Sequence, residues 1–132
     1  MRQNHPVPEP RQVVHDLWER FQARDWDAAA ELLAEDVVVD WPQTRERIRG
    51  RDRVIAVNRN YPEGWTIRVL RIVQDGAVAV SEVAVDHVDH GTFHAASFFE
   101  VADGRIVRGT EYWVDPPSAD PPAWRAEWVE RY

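Results

Sequence analysis

Three turn signals in the second half of the chain, Asp75-Gly76, Asp89-His90-Gly91 and Asp103-Gly104, cut an otherwise alternating sequence into four segments. An Asp-Gly pair supplies the left-handed residues of a tight hairpin loop, so the segments it joins are driven to pair antiparallel. Trp65 to Gln74, Ala77 to Val88, Thr92 to Ala102 and Gly104 to Asp115 therefore read as the four long strands of a β-meander. The proline run from Pro116 ends the last of them, because proline cannot donate to a strand ladder.

That last strand carries the most suggestive chemistry. Period-two spacing puts Val107, Gly109, Glu111 and Trp113 on one face and Ile106, Arg108, Thr110 and Tyr112 on the other. Gly109 leaves the layer in front of it unfilled, so Glu111 and Trp113 border a hollow and form a pocket floor. The other reading of the same pattern turns Glu111 to water and buries Tyr112.

Ahead of the meander the periodicity changes. Residues 1–10 carry Pro6, Pro8 and Pro10 and are expected to be a flexible Pro-rich arm. From Arg11 to about Arg24, Val13, Val14, Leu17, Trp18 and Phe21 follow the spacing of an apolar helical stripe. His15 lies off that stripe and reads as solvated. Asp25 is a good N-cap for a second helix in which Trp26, Ala29, Ala30 and Leu33 share a face. Val37 to Trp41 is a short β-branched strand stopped by Pro42, with Asp40 and Trp41 on opposite faces. Gln43 to Gly50 reads as a polar loop. Asp52 then caps a third helix that turns Val54, Val57, Asn58 and Tyr61 to one side and ends at Pro62 and Gly64. Three helices, one short strand and four long antiparallel strands make an α+β domain spanning 11–132, with a Pro-rich tail over 116–132. In that tail Trp124 and Trp128 lie four apart, positioned either to close a pocket or to meet a second subunit.

Composition narrows the function. Sixteen basic against 23 acidic residues leave a net charge of −7, which repels a phosphate backbone and disfavours nucleic acid as a partner. The basic run from Arg45 to Arg53 alternates with acids and reads as a solvated, ion-paired loop. No cysteine is present, so neither a disulfide nor a thiolate metal site is available. No apolar run approaches the roughly 20 residues of a membrane span, and Met1 to Pro10 lacks a signal-peptide core, so a cytoplasmic, membrane-free protein is expected. Seven tryptophans in 132 residues point to a small-molecule cavity or a subunit interface. His87, Asp89, His90 and His94 are metal-ligating types near one corner, but an exposed polar hairpin accounts for them, and no metal is expected.

The order of elements, together with Leu33-Ala-Glu-Asp-Val-Val-Val-Asp-Trp-Pro42, Ile48-Arg-Gly50, Phe98-Phe-Glu-Val-Ala-Asp-Gly-Arg-Ile106 and Glu111-Tyr-Trp113, resembles the SnoaL-like, polyketide cyclase-like branch of the nuclear transport factor 2-like superfamily. The resemblance spans about Arg11 to Asp115. It implies a cone-shaped, cystatin-like curved sheet wrapped round three N-terminal helices, with an apolar cavity between helices and sheet, no cofactor, and a homodimer through the outer sheet face. Members include ketosteroid isomerases, polyketide cyclases, epoxide hydrolases and dehydratases, and also binding modules without catalysis.

Carried over residue by residue, the family's chemistry is only partly present. Ketosteroid isomerases place their base where Trp41 stands, and an indole takes no proton from carbon. Their tyrosine falls near Leu17 and their neutral aspartic acid near Ser97. In the limonene epoxide hydrolase branch the arginine and acid of an Arg-x-Asp pair fall at Val83 and Val85, leaving Asp86 or Glu82 to supply an acid from a shifted register, while Glu111 sits near the branch's Asp on the last strand. Glu111 matches the cavity acid of SnoaL-like cyclases. The resulting expectation is a pocket for a small apolar, polyketide- or terpenoid-like molecule. In it Glu111 is the acid/base, Asp40 or Glu82 a second acid, and Trp18, Trp41, Tyr61 and Trp113 the walls, while His94 lines the cavity if its strand face is inward. The same residues are compatible with a binding or dimerisation module that catalyses nothing.

Overall fold

A computed structural model describes residues 6–132. The first helix, α1 (Pro10–Gln22), starts one residue earlier than its apolar stripe suggests, because Pro10 occupies the first turn, where its missing N–H is harmless. The expected arm is correspondingly shorter. Its first five residues lie outside the described ones, and Glu9 is tied down by an amide hydrogen bond from Gln74 at 2.8 Å. A second helix, α2 (Trp26–Ala30), is capped by Asp25, which accepts from the Ala28 N–H at 3.2 Å.

The sequence expectation for this segment is corrected at two points. Leu33 belongs to the next strand, β1 (Leu33–Trp41), not to α2. The stretch read as a polar loop contains a short strand, β2 (Glu46–Arg49), which pairs antiparallel with β1. Its alternating charges disguise it, since only Ile48 is buried. Then follow α3 (Arg51–Asn60), capped by Gly50 rather than Asp52, and the meander β3 (Trp65–Asp75), β4 (Val78–His87), β5 (Gly91–Ala102) and β6 (Arg105–Val114). Asp103 and Gly104, at φ +51° and +75°, form the two-residue loop between β5 and β6 that an Asp-Gly pair favours.

These strands form one curved, unclosed six-stranded sheet in the order β2-β1-β6-β5-β4-β3, antiparallel except where β1 runs parallel to β6. Two bulges bend the meander, Leu70 being the extra residue of β3 against β4 and Val107 that of β6 against β5, and the β1–β6 register also shifts between Leu33 and Val38. The second bulge overturns the simple face assignment on β6. Ile106 is fully buried instead of sharing the outer face with Arg108, because the inserted Val107 resets the alternation.

The helices cover the concave face. Val13, Val14, Leu17, Trp18 and Phe21 of α1 meet inward residues of the strands, among them Val37, Val83, Ala95, Phe99 and Ile106, in one core. Each fully buried side chain of this size is worth roughly 1.5–3 kcal/mol in apolar burial, which makes the helix-on-sheet contact the main source of stability. After Val114 the chain is irregular apart from one 3-10 turn, Ala123–Arg125, and Trp124 and Trp128 are each 73 % exposed. Neither closes the cavity.

Candidate functional site

Between the helices and the wide end of the sheet lies a cavity of about 500 Å³. The apolar face of α1 contributes Trp18 and Phe21, and the end of α3 contributes Val57, Asn58 and Tyr61. The meander supplies Trp65, Ile67, Val85, Phe93 and Trp113 at inward, period-two positions. Trp41, Gln43 and Thr44 in the turn after it, and Glu46 at the start of β2 complete the wall, and Asp115 stands where β6 ends. Of the expected wall residues, Trp18, Trp41, Tyr61 and Trp113 all lie here. Phe21, Trp65, Ile67, Val85 and Phe93 were not anticipated, although the helical stripe and the strand alternation carry the signal for each.

Glu111 points inward and is 8 % exposed, so the reading that turned it to water is set aside. It does not border the cavity directly but sits one layer behind the indoles of Trp41 and Trp113. Trp41 Nε1 donates to Oε1 at 3.0 Å, and Ser97 Oγ donates to Oε2 at 2.7 Å. Burial pushes the Glu111 carboxyl above the ordinary carboxylate range; the Trp41, Ser97 and Trp113 side chains oppose that rise without cancelling it. Gly109 does not open a hollow here. The Phe99 ring covers it so closely that a Cβ on Gly109 would lie 2.9 Å from two of its ring carbons.

A buried polar row supports this arrangement. Ser81 on β4 is the cross-strand partner of Ser97 on β5, which is the partner of Glu111 on β6. Both serines are fully buried, and Ser81 Oγ accepts the Trp18 indole N–H at 3.0 Å. The row thus holds two of the cavity's tryptophans through their only polar atoms and leaves its buried carboxylate satisfied. Serines at inward positions between Ala79 and Val83, and between Ala95 and Phe99, were the unread signal for it.

The remaining expected residues lie elsewhere. Asp40 is on the outer face of the sheet, held by Arg47 at 2.6 and 3.0 Å and by Arg108 at 3.0 Å. The hydrogen bond from Arg47, reinforced by the charges of Arg47 and Arg108, keeps its carboxyl below the usual range, the opposite of what a general acid needs. Glu82 pairs with Arg71 at 3.1 Å and Asp86 with Arg68 at 2.7 Å on that same outer side. His94 is exposed, because the alternation that turns Phe93 into the cavity turns its neighbour out.

The histidines at the corner do not converge on a metal site among the described residues. His87 is 5 % exposed rather than part of a solvated hairpin. Its Nδ1 accepts from the Asp89 N–H at 3.0 Å and its Nε2 lies 3.0 Å from the Pro62 carbonyl, so Nε2 is the ring nitrogen placed to donate. The one trio of metal-capable donors among the described residues, His15, Asp16 and Glu19 on α1, has the two imidazole nitrogens facing different carboxylates, at 3.4 and 3.5 Å. That is a pair of ion bridges when His15 is protonated.

Comparison with known proteins agrees with this architecture. Residues 14–109 match the family model described as a SnoaL-like domain. No curated protein matches the sequence. Among solved structures, a candidate ketosteroid isomerase from Kribbella flavida DSM 17836 is 36 % identical, with 93 % of this chain and 89 % of that one covered at a TM-score of 0.83. An NTF-2 like protein of unknown function from Burkholderia xenovorans LB400 is 29 % identical over 93 % of this chain and 94 % of that one, at 0.75. An LEH-like epoxide hydrolase from M. tuberculosis is 27 % identical over 80 % and 82 %, at 0.68. With the family model covering most of the chain and its α+β architecture shared by these nuclear transport factor 2-like structures, the protein belongs to the SnoaL-like domain family.

Proposed function

We propose that the cavity binds a small apolar molecule carrying an oxygen function, and that Glu111 moves a proton on it, in an isomerisation, cyclisation or hydration that needs no cofactor. The observation that carries this reading is the buried carboxyl of Glu111 behind the cavity wall, with its proton affinity raised by burial. A carboxyl shifted in that direction is matched to acid/base work closer to neutrality than an ordinary glutamate. In the carboxylate form it takes a proton from a carbon next to a carbonyl, leaving an enolate, and returns that proton to a second carbon or to the oxygen. Trp41 must swing from Oε1 for the substrate to reach it. Asp40, Glu82 and His94 have no part in this scheme.

The test is proton exchange in D2O with apolar cyclic ketones. Exchange at the carbon next to the carbonyl, above the buffer rate and lost in Glu111→Gln, is the expected result. A ketone that binds and exchanges no faster than in buffer sinks the catalytic reading.

A second reading, a binding module without turnover, is favoured by one observation: both oxygens of Glu111 are already engaged, and indoles stand between it and the cavity. The same experiment separates the two. A homodimer through the outer sheet face is supported by Phe98 and Tyr112, 46 % and 48 % exposed and packed edge to face at 6.1 Å, and sedimentation equilibrium tests it.

A further inference from the structure

We infer that the molecule held in this cavity is a cation, an apolar amine or quaternary ammonium, with its charge among the aromatic rings and facing Glu46 and Asp115. The inference rests on the small-molecule reading above and adds a positive charge to that otherwise apolar, oxygen-bearing molecule. Four tryptophans, two phenylalanines and a tyrosine line the cavity, so ring faces and edges make up most of its wall. The chain has no lysine and sixteen arginines, and no arginine among the described residues lines the cavity. Both carboxylate residues in the lining, Glu46 and Asp115, are exposed at its rim, and the side chain of neither has a hydrogen bond or ion pair with any described residue.

These features select by sign. An anionic ligand brings a third negative charge to two unpaired carboxylates, with no cation in the wall to meet it. A cation finds the negative faces of indole and phenol rings together with two carboxylates free to approach it. Trp65 already accepts a cation, since the Arg24 guanidinium stacks 3.3 Å from its ring centroid. Arg24 is itself neutralised by Glu63 at 2.8 Å, so it does not repel a second cation strongly.

Benzyltrimethylammonium and its uncharged isostere neopentylbenzene differ only in the quaternary atom, and benzenesulfonate serves as the anion. Binding of each to the full chain is followed by tryptophan fluorescence at low ionic strength. The expected result is an ammonium that binds about tenfold tighter than the isostere, the ratio that a modest cation–π gain amounts to, and a sulfonate that does not bind. The rim double variant Glu46→Gln with Asp115→Asn should reduce the ammonium's advantage severalfold while leaving the isostere's affinity unchanged. Equal binding of ammonium and isostere overturns the charge class and leaves the apolar pocket standing. Failure of both to bind overturns the pocket reading and this inference with it.

Discussion

Trp41 donates its indole N–H to Glu111 Oε1 across 3.0 Å, although the two residues are 70 positions apart in the chain. The parallel pairing of β1 with β6 brings their ends together, and the bond makes a cavity wall residue the partner of the buried carboxyl. A hydrogen bond to a carboxylate favours its ionised form, so removing the donor raises the pKa. Trp41→Phe keeps an aromatic ring in the wall and loses the donor together with the five-membered ring of the indole. Glu111 in that variant is expected to titrate higher than in the wild type, as followed by carboxyl carbon NMR. An unchanged or lowered value contradicts the bond's role.

The raised carboxyl also sets a slope of stability with pH. In the folded protein Glu111 holds its proton to higher pH than the unfolded chain does, so across the interval from about 4.3 up to its folded pKa the native state binds more protons. Stability contributed by the neutral form is present below that interval and is lost as pH rises through it. Urea unfolding of the wild type and of Glu111→Gln at a series of pH values isolates this contribution. The difference between the two is expected to move against the wild type as pH increases, and then level off.

Much of this was legible from the residues, and the rest fails for identifiable physical reasons. Asp103-Gly104 and Pro116 bound β6 within a residue of where it runs, because turn chemistry is local. The face on which Glu111 and Trp113 lie follows from alternation, but alternation cannot say which face is inside. That is decided by the packing of Val83, Ala95 and Phe99 on the adjacent strands against α1, the layer in which Ser81 and Ser97 also lie. The bulge at Val107 carries no turn residue and so gives no local signal; it alone moves Ile106 from the outer face into the core. β2 was invisible because an edge strand needs only one apolar residue, and Ile48 among arginines and glutamate looks like a loop. Asp40 carries the signs of a site acid, a carboxylate beside an aromatic residue and a proline, and only the positions of Arg47 and Arg108 show that it is an ion-paired surface residue.

Because Asp40 lies across the sheet from the cavity, its removal should leave the site untouched. Asp40→Asn loses the pairs with Arg47 and Arg108, and partly exposed pairs of this kind are worth about 1 kcal/mol or less. Its folded pKa is depressed, so that stability is present above the unfolded value of about 3.9 and disappears as pH falls through the folded one. The variant is therefore expected to melt slightly below the wild type at pH 7, to converge with it in acid, and to bind apolar probes with unchanged affinity. A large loss of binding places Asp40 in the site after all.

Gly109 offers the sharpest check on how tightly the layer beside Glu111 is packed. Its backbone is ordinary extended strand, so alanine brings no dihedral strain and the outcome depends on space alone. A methyl group there meets Phe99 ring carbons at 2.9 Å and Val39 Cγ2 at 3.6 Å. Phe99 has little freedom to retreat, being 3 % exposed with the Trp18 indole tilted against it at 6.4 Å between centroids. Overpacking of this sort costs about 1–3 kcal/mol. Gly109→Ala should accordingly lower the unfolding free energy by that amount in urea. Since Phe99 presses on Trp18, the cavity wall should also shift, visible as a changed tryptophan emission maximum in the folded state. A neutral or stabilising alanine shows instead that the space over Gly109 is the hollow which the bare sequence suggests, and that the cavity reaches Glu111 directly.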